Sequence, residues 1–180
     1  MYKRLFIIVE GPDDGRFFSR IIKPVFENNY ECIDLWENAQ KVYKKTCKFI
    51  RSINSMSSAN FVADYIFVTD INNSPCVSHK KMIKKSQFSD LDGGKILVIK
   101  KEIESWFLAG LDRINCKKCR IPNHSDTEKI SKEQFNNMIP KKFRDSRIDF
   151  LHELLNYFQI EVAKEKNASF KYFIEKYISN

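Results

Sequence analysis

The 180-residue chain contains no apolar run approaching the ~20 residues that a membrane-spanning helix requires. Residues 5–9, Leu-Phe-Ile-Ile-Val, form its longest apolar run near the N-terminus, shorter than the roughly 7–15 residues of a signal-peptide core. A cytoplasmic protein with no membrane partner is therefore expected. Glycine is scarce, with five in all, and none belongs to a Walker-type phosphate loop followed by Lys-Ser or Lys-Thr, which argues against an intrinsic P-loop ATPase. The three histidines, His79, His124 and His152, sit in no pattern that would pair one with a nucleophile. The five cysteines are an odd number without an export signal, so reduced thiols are expected. Cys116 and Cys119 have x-x spacing with His124 nearby, but structural zinc needs four ligands. They read as ordinary thiols in a polar loop over residues 116–127. No internal repeat and no low-complexity segment interrupts the chain.

What is present is globular: 43% hydrophobic and 30% charged residues, with 15 Phe, 7 Tyr and 2 Trp for a core. The length suits one domain. The net charge of +8 is spread along the chain rather than gathered in a basic tail, and it fits a polyanionic partner.

The apolar run at residues 5–9 is β-rich and continuous, as expected of a strand buried on both faces of a parallel sheet. It ends at the turn Glu10-Gly11-Pro12. Asp13 or Asp14 can cap the helix that follows, which Pro24 should kink or end. Further strands are expected at residues 30–36, 65–69 and 95–99, and helices at residues 40–53, after Ser74-Pro75, and at residues 102–111. This alternation predicts an α/β domain with a mainly parallel sheet of about four strands, spanning residues 1–115. Residues 116–180 read as a helical extension packed on it. There, Ser131 and Gln134 form a capping box, Ser146 caps a helix, and Phe170, Phe173, Ile174 and Tyr177 follow helical spacing. Trp106 reads as core.

Ligands of open α/β sheets bind beyond the carboxyl ends of the strands. Carboxylates stand at three such ends: Glu10 after the first, Asp70 after the third, and Glu102 and Glu104 after the fourth. Hard oxygen donors gathered this way suit Mg²⁺ or Mn²⁺ with a substrate phosphate. Lys100 and Lys101 lie beside the last pair, where a lysine can stabilise charge developing on a phosphate.

Val9-Glu10-Gly11-Pro12-Asp13-Asp14 resembles the first motif of Toprim domains. Val68-Thr69-Asp70-Ile71-Asn72 looks like their second, an Asp-x-Asp at a later strand end. Lys101 to Ala109 is similar to a Glu-x-Trp segment of small Toprim-like proteins related to the overcoming-lysogenization-defect nucleases and to anti-phage defence proteins. The resemblance covers roughly residues 3–112. It implies Glu10 as general acid/base or metal-associated glutamate and Asp70 as a metal ligand. Asn72 stands where a second aspartate is usual, and its amide oxygen brings no charge. Glu104 or Glu102 would supply the missing charge at a second site, Asp13 or Asp14 a further ligand, and Lys101 electrostatic support.

Two lysine stripes complete the reading. Lys41, Lys44, Lys45 and Lys48 are helical neighbours, as are Lys80, Lys81, Lys84 and Lys85. Like charges at such spacing repel, and a polyanion relieves the repulsion. The expectation is a Mg²⁺- or Mn²⁺-dependent nuclease acting on DNA or RNA, with a separate ATPase subunit or self-association as further possibilities. The alternative is a non-catalytic nucleic-acid-binding or regulatory subunit of an ATPase-containing complex that keeps the fold.

Overall fold

A computed structural model describes every residue except 38, 40, 57, 179 and 180. The chain divides into two compact units, Met1–Val98 and Ile99–Asn180. The division falls well before residue 115, so the Glu-x-Trp segment groups with the later helices.

The first unit is built on a four-stranded, all-parallel sheet of order β2-β1-β3-β4. Its strands are β1 (Tyr2–Ile8), β2 (Cys32–Trp36), β3 (Phe61–Asp70) and β4 (Ile96–Ile99). Leu5 through Ile8 of β1, and Val9 just after it, are all buried, as a strand covered on both faces requires. Phe6 and Ile8 share one face with Tyr65, Phe67, Ile96 and Val98, packed with Ile50, Ile53 and Phe88. Within this layer the Phe67 and Phe88 rings lie 5.1 Å apart. Alternate residues Leu5, Ile7, Ile66, Val68 and Leu97 are buried on the opposite face.

Between the strands run α1 (Pro12–Phe17), α2 (Lys23–Phe26), α3 (Tyr43–Ser55) and α4 (Val77–Gln87). The carboxylate of Asp14 accepts the Gly11 N–H (2.9 Å), and Asp13 pairs with Arg16 (2.5 Å), so both acids serve the start of α1. Pro24 neither ends nor breaks the helical run. Residues Phe18–Ile22 widen into a π-helical turn, and Pro24 then occupies the first turn of α2, where its missing N–H is harmless. Helix α3 starts later than expected, and Gln40 lies outside the described residues.

The second unit is helical: α5 (Glu104–Ala109), α6 (Arg113–Cys119), α7 (Lys132–Asn137), α8 (Arg147–Asn156), α9 (Ile160–Lys166) and α10 (Ala168–Tyr177). Trp106 is fully buried in it. Its indole N–H donates to Ser169 Oγ (2.9 Å), and its ring meets Phe170 edge to face at 5.0 Å. The Ser131–Gln134 capping box and the Ser146 cap form as expected. Residues 116–127 are not all loop: Cys116 and Cys119 belong to α6. Asp112 caps α6 by accepting the Asn115 N–H at 2.7 Å, and Arg120, at φ 58, ends it. No helix among the described residues is long and apolar enough to cross a membrane.

Phe67 is fully buried at the centre of the sheet. Phe67→Ala should lower unfolding free energy by about 3–5 kcal/mol, read from urea denaturation. A loss below about 1 kcal/mol would contradict this placement of the core.

Candidate active site

Strands β1 and β3 are adjacent, and Ile8 pairs with Phe67. Two residues further along each strand, Glu10 stands level with Thr69, whose hydroxyl donates to Glu10 Oε1 at 2.6 Å. Asp70 is the last residue of β3. From β1 the chain moves outward to β2, then returns past β1 to β3 and on to β4. The order β2-β1-β3-β4 therefore reverses between β1 and β3. Such a reversal opens a crevice beyond the strand ends, and it is where open parallel sheets hold ligands. Glu10 and Asp70 stand at its two sides.

Helix α4 brings two cations to the same place. Lys84 is 3% exposed and Lys80 6%, one turn apart on one face. The Lys84 ammonium lies 2.8 Å from Glu10 Oε1. That oxygen thus receives two donors, one of them charged. Burial pushes the Lys80 ammonium below its usual pKa, and the neighbouring Lys84 charge adds to this. The carboxylates of Glu10 and Asp70 act on Lys80 in the opposite sense, so all four side chains share one electrostatic neighbourhood. Two negative and two positive charges balance there.

This corrects the reading of the second lysine stripe. Lys80 and Lys84 are turned inward, Lys81 is half-buried and only Lys85 is fully exposed. A helix positions residues i and i+4 on one face but does not say which face meets the sheet. The aliphatic stems of Lys80 and Lys84 take the place of apolar residues there. Lys41, Lys44, Lys45 and Lys48 are all exposed, while Thr46, Ile50 and Ile53 form the buried side of α3.

The remaining expected site residues lie exposed or serve partners of their own. Asn72 is exposed in the turn after β3, with φ 47, a left-handed conformation that asparagine tolerates. Lys101 is exposed at φ 73, which explains why α5 begins only at Glu104. Glu104 is 2% exposed and pairs with Arg147 at 2.7 Å and Lys132 at 3.5 Å. Arg147 also donates to Asn136 Oδ1 at 3.0 Å. Glu104 thus ties α5 to α7 and α8, its charge already neutralised. Glu102 accepts the Lys132 backbone N–H, and Lys100 pairs with Glu128 at 3.2 Å.

Among the described residues no three His, Cys, Asp or Glu side chains are gathered as a metal cluster. The donor chemistry at the β1–β3 crevice nonetheless fits one hard cation. Mg²⁺ commonly takes one or two carboxylates and completes its shell with waters and substrate phosphate. Glu10 Oε1 is held by Thr69 and Lys84, and no hydrogen bond or ion pair among the described residues engages Oε2. Asn72 would bring no charge to a second metal, and Glu104 is already paired with Arg147 and Lys132. Cys116 and Cys119 lie in α6, one turn apart. They are buried, and burial pushes the Cys119 thiol up to about 11 and raises that of Cys116.

Lys84→Met, which leaves Glu10 without its cation, should destabilise the protein by about 3–5 kcal/mol in urea denaturation. Lys48→Met on the exposed face of α3 should change stability by no more than about 0.5 kcal/mol, and equal losses would refute the inward placement of Lys84. At pH 8, iodoacetamide should label exposed Cys76 rapidly and Cys116 and Cys119 slowly, because only the thiolate reacts. Equal labelling would contradict the buried face of α6.

Compared with known proteins, the chain matches no family model, no curated protein and no solved structure.

Proposed function

We propose that the protein is a metal-dependent nuclease that hydrolyses phosphodiester bonds at the crevice between the ends of β1 and β3. The observation that carries this reading is the juxtaposition of Glu10 and Asp70 at the point where the strand order reverses. The resemblance of the two segments to Toprim motifs supports the same pair of residues. When bound, Mg²⁺ or Mn²⁺ polarises a phosphoryl oxygen and lowers the pKa of its water. Glu10 and Asp70 supply the hard oxygens that hold it. Thr69 and Lys84 fix the Glu10 carboxylate in place, and it can also accept the proton of the attacking water. The exposed Lys41, Lys44, Lys45 and Lys48 take backbone phosphates and orient the strand.

The Lys84–Glu10 pair favours one second reading. An ammonium already stands against the acid, as it would in a site that has exchanged its metal for a lysine. The protein would then be a nucleic-acid-binding or regulatory subunit, working beside an ATPase and retaining the fold.

Cleavage of single- and double-stranded DNA and RNA with Mg²⁺ or Mn²⁺ separates the two. The nuclease reading expects Asp70→Ala and Glu10→Ala each to reduce cleavage by on the order of 100-fold or more. Nucleic-acid affinity should remain within about threefold, because the lysines carry the phosphate contacts. Asn72→Asp should leave cleavage intact or raise it. Neutralising the four α3-side lysines should lower the slope of log affinity against log salt by roughly 0.9 for each phosphate that is no longer neutralised. Wild-type protein that binds nucleic acid but cuts none with either metal would favour the regulatory reading. Cleavage indifferent to both acid substitutions would contradict the site itself.

A further inference from the structure

We propose that Lys80 is the anion subsite of the β1–β3 crevice, its ammonium receiving a non-bridging phosphate oxygen of the bound nucleic-acid strand. The proposal rests on the reading of that crevice as a phosphodiester site and adds to it a residue that binds the phosphate itself.

The two inward lysines of α4 differ in one respect. Lys84 has a carboxylate at 2.8 Å, whereas no hydrogen bond or ion pair engages the Lys80 ammonium among the described residues. Yet Lys80 is 6% exposed. An ammonium withdrawn from water with no hydrogen-bonded partner, attracted only through space by Glu10 and Asp70, keeps part of its desolvation penalty, and a bound anion offsets it. The position deepens the conflict. Lys80 lies in the first turn of an 11-residue helix, its N–H bonded to the Cys76 carbonyl, where the helix field is positive and disfavours a cation. An anion placed there is attracted by the ammonium and the helix terminus together. The charges of the site agree. Glu10 and Asp70 balance Lys80 and Lys84 when nothing is bound. A divalent cation on the acids would leave the cluster at +2, a charge that phosphates complement. The alternative is that Lys80 merely covers the sheet with its stem and turns its tip to water.

Three measurements decide between these. In wild-type protein, inorganic phosphate at millimolar concentration should protect Lys80 from amine acylation, read by mass spectrometry, while leaving exposed Lys85 reactive. In titration calorimetry, Lys80→Met should weaken binding of inorganic phosphate and of a short oligonucleotide by about tenfold or more, the worth of one charged hydrogen bond. Lys80→Arg should restore most of the affinity, and Lys85→Met should change it less than twofold. A nucleoside monophosphate is the competing source of the same group. Lys80-dependent binding of the oligonucleotide supports the strand assignment, and Lys80-dependent binding of the mononucleotide alone overturns it. The proposal falls if phosphate leaves Lys80 unprotected, a test that needs no variant to fold, or if Lys80→Met binds phosphate as wild type does. Failure of the underlying reading looks different. Phosphate binding that depends on Lys80 in a protein without cleavage retains the subsite and discards the nuclease. Cleavage whose KM and phosphate affinity ignore Lys80 does the reverse.

Discussion

The ion pair between Lys84 and Glu10 joins the two halves of this site, and its consequences reach further than its 2.8 Å length suggests. Glu10 leaves the sheet where β1 ends, and Lys84 comes from the helix that follows β3. Their contact therefore fixes α4 over the strand ends and sets the direction in which the rest of that helix faces. With Lys84 turned inward, Lys80 must be turned inward too, because one helical turn separates them. The parallel register of β1 on β3 then adds Thr69 on the same carboxylate oxygen. A buried pair of this kind contributes little net stability compared with apolar packing, but either partner left alone is strongly unfavourable. The pair stands at the strand-order reversal, the place where open parallel sheets hold ligands.

Much of the architecture was legible in the residues. A continuous apolar run at residues 5–9 reads as a strand covered on both faces, and Leu5 to Val9 are buried. Alternating β-rich and amphipathic segments lead to a parallel α/β sheet. Caps at Ser131 and Ser146 are local chemistry, which sequence carries directly. What was not legible depended on which side of an element meets its neighbour. The lysines of α4 form as regular a stripe as those beside and within α3, yet one stripe is divided and the other is exposed. The partner that distinguishes them, Glu10, is more than seventy positions away from Lys84 in the chain. Helix α6 was hidden by polar residues around two buried cysteines, although Asp112 three positions before Asn115 was a capping signal.

The acids at strand ends divide along the same line. Glu10 and Asp70 share a crevice because their strands are neighbours, a relation that spacing alone suggests. Glu104 follows a strand as well, but Arg147 and Lys132 neutralise it within the helical unit. No feature around residue 104 signals those partners, which arrive from helices roughly thirty and forty positions later. What remains at the strand ends is an acid pair with two buried lysines beside it. Under the proposed nuclease reading, those lysines would supply part of the charge stabilisation that a second metal would otherwise provide.

Paramagnetic relaxation by Mn²⁺ tests the central claim most directly. Backbone amide signals of the full chain would be followed as Mn²⁺ is added in the presence of inorganic phosphate. The account predicts selective broadening of Val9, Glu10 and Gly11 together with Thr69, Asp70 and Ile71, at metal concentrations that leave the rest of the sheet sharp. Broadening confined to other acidic residues, with those two strand ends unaffected, would contradict it.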